Sequence, residues 1–173
     1  MTRSLAAPLL ALALFHAAPA AAEGVFTPVA LQRQVTGTFY LDAMLPGYGD
    51  LRLLLDTGSS YLVITEKILA PLVKNGVASF AHQTHGTMAD GSKRTIPVYR
   101  LATLRLGTNC WVHDVEAAVF PGNTRPILGM NVLAKLSPFT FSADPAELAV
   151  QRCQAAPVPS AGAGGGPLHT LAE

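Results

Sequence analysis

The sequence has few charges, and it lacks several motifs that common enzymes need. Charged residues make up 13% of the 173 residues, with 12 Lys and Arg against 11 Asp and Glu. No basic run or stripe occurs, which argues against binding to nucleic acid or to an anionic membrane surface. There is also no Gly-x-Ser-x-Gly motif and no phosphate-binding glycine loop, so a serine hydrolase or a nucleotide-dependent enzyme has no support.

Cysteine is scarce as well, with only Cys110 and Cys153 present. Neither is next to a histidine in the sequence, so a thiol nucleophile has little support. In an exported protein the two cysteines would by default form a disulfide, and two buried free thiols are the alternative. A disulfide would close a loop of about 43 residues, which the chain-entropy model values at about 4 kcal/mol.

The first 22 residues have the three parts of a secretory signal peptide. Arg3 is the early charge, residues 5–18 form an apolar run, and small residues occupy positions 20–22. The apolar run is too short to span a bilayer, and a retained membrane anchor is the less favoured alternative. We therefore expect a periplasmic or secreted protein with no stable membrane insertion after cleavage. Its domain would cover residues 23–153.

Patterning predicts a domain built mostly of strands. Residues 36–45 alternate between apolar and polar side chains, and an apolar strand at residues 51–55 follows a turn, which predicts a hairpin. Asp90-Gly91 lies between β-prone polar arms and predicts a second, projecting hairpin over residues 84–100. Residues 77–83 are weakly patterned and are predicted to be irregular.

The remaining segments follow from composition. Thr65 can cap a helix over Glu66–Asn75 that ends at Gly76, with a break or kink at Pro71. Residues 154–173 are rich in Ala, Pro and Gly and are predicted to form a flexible tail. The other predicted elements are strands at 61–64, 96–106 and 110–119, a short helix at 130–136, and a last hairpin over 139–152.

Asp56 ends the apolar run Leu53–Leu55 and is the strongest candidate for a catalytic acid or base. A desolvated carboxylate is costly, so a carboxylate at the end of a buried strand is usually paired or functional. Gly58 allows a sharp turn directly after it. The hydroxyl groups of Thr57, Ser59 and Ser60 could hold the carboxylate in place.

Three features in order resemble the retropepsin-like aspartic proteases, and in particular their exported bacterial members. They are Asp56-Thr57-Gly58-Ser59-Ser60 after a leucine strand, a projecting hairpin about 30 residues later, and Ile127-Leu128-Gly129 before a short helix. The resemblance covers roughly residues 36–142. It implies an all-β, single-lobe acid protease barrel with one or two short helices.

The resemblance also implies roles for individual residues. Asp56 would be the catalytic aspartate, Thr57 would bond across to a second subunit, and the Gly58 amide would approach the carboxylates. Ser59 would donate to an outer carboxylate oxygen. The flap tip over the substrate would consist of Met88, Ala89, Asp90, Gly91 and Ser92. Structural support beneath the active-site loop would come from Ile127, Leu128 and Gly129.

Only one Asp-Thr-Gly occurs, and the sequence has no Asp-Ser-Gly. Peptide hydrolysis by this chemistry needs two carboxylates that share a proton, so we expect a homodimer in which each copy supplies Asp56. The favoured function is an exported aspartic endopeptidase that cleaves peptide or protein substrates between apolar residues. The alternative is a retropepsin-like domain that binds peptides or proteins without cleaving them.

No metal or cofactor is expected. His82 and His85, with His113 and Asp114 nearby, could suggest a metal site, but the spacing is unspecific and no cysteine adjoins it. Asp90 is better explained as a turn former than as a catalyst.

Overall fold

The computed structural model describes residues 24–87 and 91–157. The predicted signal peptide and residues 158–173 of the predicted tail lie outside these ranges. The described residues form the following strands and helices: β1 Thr27–Ala30, β2 Gln32–Arg33, β3 Phe39–Leu45, β4 Gly49–Leu55, β5 Leu62–Thr65, α1 Glu66–Lys74, β6 Ala78–Thr87, β7 Lys93–Leu106, β8 Cys110–Phe120, β9 Ile127–Leu128, α2 Met130–Leu136, β10 Phe139–Ala143 and β11 Ala146–Val150.

Six strands close into a barrel in the order β3-β4-β9-β5-β8-β7, because β7 also pairs with β3. The predicted first hairpin is confirmed as β3 and β4, with Tyr40 opposite Leu54. Alternate side chains of these strands point inward, and the core contains the fully buried Leu41, Leu53 and Leu128. The predicted all-β barrel with short helices is therefore confirmed.

The second predicted hairpin is also confirmed, with Thr87 opposite Lys93. The prediction of irregular structure at residues 77–83 is wrong, because β6 begins at Ala78 and pairs with β7, with one register shift between Phe80 and His82. Most described side chains of β6 are exposed or only partly buried. A strand solvated in this way can be held by backbone hydrogen bonds to its neighbour without an apolar pattern.

Helix α1 begins as expected, since the Thr65 hydroxyl accepts a hydrogen bond from the Ile68 N–H at 3.3 Å. The predicted break at Pro71 does not occur, and the helix continues to Lys74. Pro71 is the sixth residue of the helix and removes one intrahelical hydrogen bond, because proline has no backbone N–H. The burial of Ile68, Leu69 and Leu72 against the barrel holds the helix in spite of that loss.

A second, three-stranded sheet has the order β1-β11-β10 and is antiparallel throughout. Cys110 and Cys153 form a disulfide, which joins the start of β8 to the segment after β11. The next residue, Gln154, pairs with Trp111, so contacts with the barrel extend past the predicted boundary at residue 153. No helix in the described part of the chain is long and apolar enough to cross a membrane.

Candidate active site

The end of β4 places Asp56 at the surface of the barrel. The Leu54 N–H donates to the Pro126 carbonyl at 3.0 Å, and the Asp56 N–H donates to the Leu128 carbonyl at 3.1 Å. These bonds continue the parallel pairing of β4 with β9 and fix the backbone on which the carboxylate stands. Asp56 is partly exposed, and Thr57 and Gly58 are exposed. Asp56 is therefore partly accessible to solvent at the surface of the chain.

The Gly58 N–H donates to Oδ1 of Asp56 at 2.8 Å. A hydrogen bond to a carboxylate is stronger than one between neutral groups, so this contact orients the side chain. A Cβ at position 58 would lie 3.1 Å from the same oxygen, which is tighter than an ordinary contact. Because glycine has no Cβ, the amide at position 58 can approach the Asp56 carboxylate in the way that the resemblance implies.

Within a single chain, Ser59 does not make the predicted hydrogen bond to an outer oxygen of the Asp56 carboxylate. Its hydroxyl donates to the Tyr61 carbonyl at 2.9 Å and not to the Asp56 carboxylate. A hydroxyl has one hydrogen to donate, so the bond to Tyr61 uses it. Ser59 therefore stabilises the turn after Asp56. The predicted partner of Thr57 belongs to a second subunit, and the exposed position of Thr57 leaves that prediction open.

Ile127, Leu128 and Gly129 lie against the Asp56 loop, and the packing at Gly129 is very close. A Cβ at position 129 would collide with the backbone carbonyl of Tyr61 and lie 2.8 Å from the Ser59 carbonyl oxygen. Just after Gly129, the Met130 N–H donates to that same Ser59 oxygen at 2.8 Å. The start of α2 therefore holds the active-site loop directly, and a larger residue at position 129 would push the two apart.

Asn131 is a supporting residue that the sequence reasoning missed. Its Oδ1 accepts from the Leu62 N–H at 2.8 Å, and its Nδ2 donates to the Glu116 carbonyl at 2.6 Å. The side chain thereby joins α2 to β5 and β8 immediately beyond the Asp56 loop. The available signal was a lone amide side chain in the otherwise apolar first turn of the short helix Met130–Leu136.

A cleft of about 330 Å³ lies between the active-site loop and the half of the β6–β7 hairpin that is nearer to its turn. Its walls are mixed, with hydroxyl groups on the loop side and apolar side chains deeper in. The lining residues are Gly58, Ser59, Ser60, Tyr61, Val63, Thr84, His85, Gly86, Ile96, Ala118 and Phe120. A larger cavity of about 650 Å³ is lined by residues of β1, β3, β4, the end of β7 and the β7–β8 turn. Asp56 itself lines neither cavity, but Gly58 and Ser59 of its loop line the smaller one.

Part of the predicted flap lies outside the described residues, namely Met88, Ala89 and Asp90. Of the rest, Gly91 is exposed with φ +79°, and Ser92 is partly buried. The strands that carry the flap are paired up to Thr87 and Lys93. The hairpin is therefore placed to cover the cleft, and the identity of its tip residues stays a prediction.

The two histidines considered as a metal pair do not share a face. His82 and His85 are three residues apart on β6, opposite Val98 and Thr95, so they point to opposite sides of the sheet. Among residues 24–87 and 91–157 no group of three or more His, Cys, Asp or Glu could hold a metal ion. Asp114 belongs instead to an ion pair with Arg100 at 3.2 Å.

Residues 41–132, slightly more than half of the chain, match a family model described as aspartyl protease. The chain belongs to the aspartyl protease family. A retropepsin-like aspartic protease from Rickettsia conorii has a similar solved structure, with a TM-score of 0.51 and 19% sequence identity over 74% of this chain and 91% of that one. This likeness supports the retropepsin-like fold. A comparison with curated proteins found no match.

The part of the chain matched to the aspartyl protease family contains the Asp56 loop, the β6–β7 hairpin and Ile127-Leu128-Gly129. It also contains Asn131, which sequence reasoning had not identified. The chain carries one Asp-Thr-Gly motif. One copy of this aspartyl protease domain therefore supplies one such carboxylate, that of Asp56, and its sequence contains no second Asp-Thr-Gly motif.

Proposed function

We propose that this protein is an exported aspartic endopeptidase that acts as a homodimer, with Asp56 of each copy forming the catalytic pair. The observation that carries the proposal is the geometry of Asp56. The carboxylate accepts the Gly58 N–H at 2.8 Å and stands on a loop whose next two residues are exposed. A second copy can approach this loop without any part of the barrel having to open.

In the proposed mechanism the two carboxylates share one proton. The ionised carboxylate takes a proton from a water molecule, which attacks the peptide carbonyl carbon, while the protonated one donates to the carbonyl oxygen. The mechanism needs one carboxylate ionised and the other protonated at the same time. Activity should therefore have a bell-shaped dependence on pH with its maximum in the acidic range.

The substrate would be a peptide in extended conformation that lies in the cleft beside Asp56. Val63, Ile96 and Phe120 supply the apolar part of the cleft, which favours apolar side chains next to the cleaved bond. The β6–β7 hairpin would close over the peptide once it is bound, because the part of the hairpin next to its turn forms one wall of the cleft.

Export is supported by the signal-like N-terminal segment and by the cysteine pair. Disulfides persist in oxidising compartments and are rare in the cytosol. The bond between Cys110 and Cys153 fits a protein that works in the periplasm or outside the cell.

The test is digestion of a peptide library by the mature chain, residues 23–173, with products identified by mass spectrometry. Asp56→Asn is the matched control, because it keeps the size of the side chain and removes the ionisable group. We expect cleavage by the wild type, inhibition by a statine-type transition-state mimic, and no cleavage by the variant. Sedimentation equilibrium in the same buffers should show that the active species is a dimer.

Two results would contradict the proposal. Equal inactivity of wild type and Asp56→Asn on a broad library would favour a domain that binds peptides without cleaving them. Full activity from a demonstrated monomer would refute the catalytic pair across two copies.

A further inference from the structure

A pocket of about 290 Å³ lies between the turn that precedes β3 and the segment that precedes β9. Two arginines, Arg52 and Arg125, line this pocket together with the hydroxyl groups of Thr36, Thr38 and Tyr40, and its lining residues include no Asp or Glu. A guanidinium group stays protonated at any pH at which an enzyme works, and its planar fork of donors matches a carboxylate. The pocket therefore has the chemistry of a site for an anionic group.

Arg125 is the arginine whose charge is not engaged by another side chain. Nε of Arg52 lies 3.5 Å from Oδ1 of Asp42, which is opposite Arg52 in the hairpin. Arg125 is exposed, and within residues 24–87 and 91–157 no carboxylate forms an ion pair with it. An anion in the pocket would meet one uncompensated positive charge, with Arg52 as a further donor.

The wall of the pocket formed by residues 34–38 is held by its own hydrogen bonds. The Gln34 N–H donates to the Thr38 carbonyl at 2.8 Å, and the Gly37 N–H donates to the Gln34 carbonyl at 2.9 Å. The hydroxyl oxygens of Thr36 and Thr38 are 3.2 Å apart. A hydrogen bond between them uses one hydroxyl hydrogen and leaves the other for a ligand. This wall is therefore in place before a ligand binds.

The pocket lies close to Asp56 and on the same side of β4. Arg52, Leu54 and Asp56 are alternate residues of the chain, and alternate residues of a strand share a face. Arg125 directly precedes Pro126, whose carbonyl accepts the Leu54 N–H at 3.0 Å. Two residues of a strand span about 7 Å, so Leu54 is about that far from Asp56. An extended peptide over Asp56 therefore passes the pocket within about two or three residues of the cleaved bond.

We propose that this pocket binds an acidic side chain of the substrate, so that the protein cleaves peptides that carry Asp or Glu close to an apolar cleavage point. The proposal rests on the aspartic endopeptidase of the proposed function and adds a charge preference to its substrate. The carboxylate of the substrate accepts hydrogen bonds from Arg125 and from a threonine hydroxyl of the 34–38 wall. The apolar cleft takes the side chains next to the cleaved bond, and this pocket takes one farther along the same peptide.

The test measures peptide binding separately from cleavage. The probes are octapeptides with two central leucines and alanine elsewhere, acetylated and amidated so that their ends carry no charge. One alanine at a time is replaced by Glu, Gln or Lys, and binding to the Asp56→Asn variant is measured by titration calorimetry. At one or more of the replaced positions, the Glu peptide should bind about fivefold more tightly than the Gln peptide, as expected for a partly exposed ion pair. The Lys peptide should bind more weakly than both.

Three substitutions of Arg125 in the Asp56→Asn background assign the preference to this residue. Arg125→Gln should remove the preference for Glu, and Arg125→Lys should retain part of it. Arg125→Glu should reverse the order, so that the Lys peptide binds more tightly than the Glu peptide, which a merely structural role of Arg125 would not produce. Lys67→Gln is the control, because it removes one positive charge from the exposed side of α1 and should leave the ratio of Glu to Gln binding unchanged.

The outcomes separate this site from the proposed function. A protein that cleaves peptides but binds the Glu, Gln and Lys peptides equally at every position would overturn the site and leave the endopeptidase intact. A preference for Glu that persists undiminished in Arg125→Gln, or no measurable binding of any octapeptide, would also overturn the site. A protein that cleaves no peptide yet prefers Glu peptides through Arg125 would overturn the catalysis and keep the site as part of a peptide-binding domain.

Discussion

Replacing Gly129 with alanine is expected to destabilise the protein, although the backbone at this position suits any residue. Its φ of −100° and ψ of −179° are ordinary extended values, so alanine meets no conformational penalty. The cost is steric, because a Cβ would collide with the Tyr61 carbonyl and lie 2.8 Å from the Ser59 carbonyl oxygen. Backbone atoms cannot rotate out of the way as a side chain can. The loop that carries Asp56 must therefore move.

The magnitude follows from the cost of overpacking. An added methyl group in a well-packed site costs about 1–3 kcal/mol, and we expect the upper end because both neighbours are backbone. For a domain of this size that corresponds to a fall in Tm of about 10 °C in calorimetry. Peptide cleavage should fall by more than the loss of folded protein accounts for, since the displaced loop moves the carboxylate.

Gly37→Ala is the control for this prediction. Gly37 has φ +83° and no atom within 4 Å of the position of a Cβ, so alanine there meets a conformational penalty of about 1–2 kcal/mol and no collision. We expect a smaller fall in Tm and unchanged cleavage. If Gly129→Ala has the same Tm as Gly37→Ala and cleaves peptides like the wild type, the argument from close packing is refuted.

Two further predictions concern stability. Asn131→Ala removes the side-chain partner of the Leu62 N–H and of the Glu116 carbonyl and should lower the free energy of unfolding, measured in urea, by about 2–3 kcal/mol. Asn109→Ala, in an exposed turn, is the control and should have almost no effect. Equal losses for the two variants would contradict the bridging role of Asn131. The double variant Cys110→Ala and Cys153→Ala should lose about 4 kcal/mol of stability, because its unfolded chain is no longer closed into a loop and gains conformational entropy. Reduced wild type should unfold at a urea concentration similar to that of the double variant. If oxidised wild type, reduced wild type and the double variant all unfold at the same urea concentration, the disulfide contributes no stability.

The elements that could be predicted are those with local signals. Pro46-Gly47 and Asp90-Gly91 mark turns through residues that tolerate turn geometry, and both hairpins follow from them. Asp56 could be identified as a candidate because a carboxylate at the end of a leucine strand contradicts the burial pattern around it. In each case the informative residues lie within about ten positions of one another.

The predictions that failed depended on contacts that leave no pattern in the sequence. β6 has no apolar pattern of its own, and its stability comes from pairing with β7. The Ser59 hydroxyl was predicted to donate to the Asp56 carboxylate. It donates to the Tyr61 carbonyl instead, because the path of the turn brings that carbonyl oxygen within hydrogen-bond distance. Asn131 gave little signal, because its amide bonds to a backbone N–H that lies 69 residues away in the sequence.

The sequence by itself determined most of the strands, the single Asp-Thr-Gly motif and therefore the need for a second carboxylate if the chain is an enzyme. These follow from side-chain periodicity and from a count of residues, both of which are properties of the chain alone. Only the tertiary structure decided that β4 lies parallel to β9 and that Gly129 touches the Asp56 loop. Each of these depends on which distant segments pack together, and such contacts leave no periodic trace in the sequence.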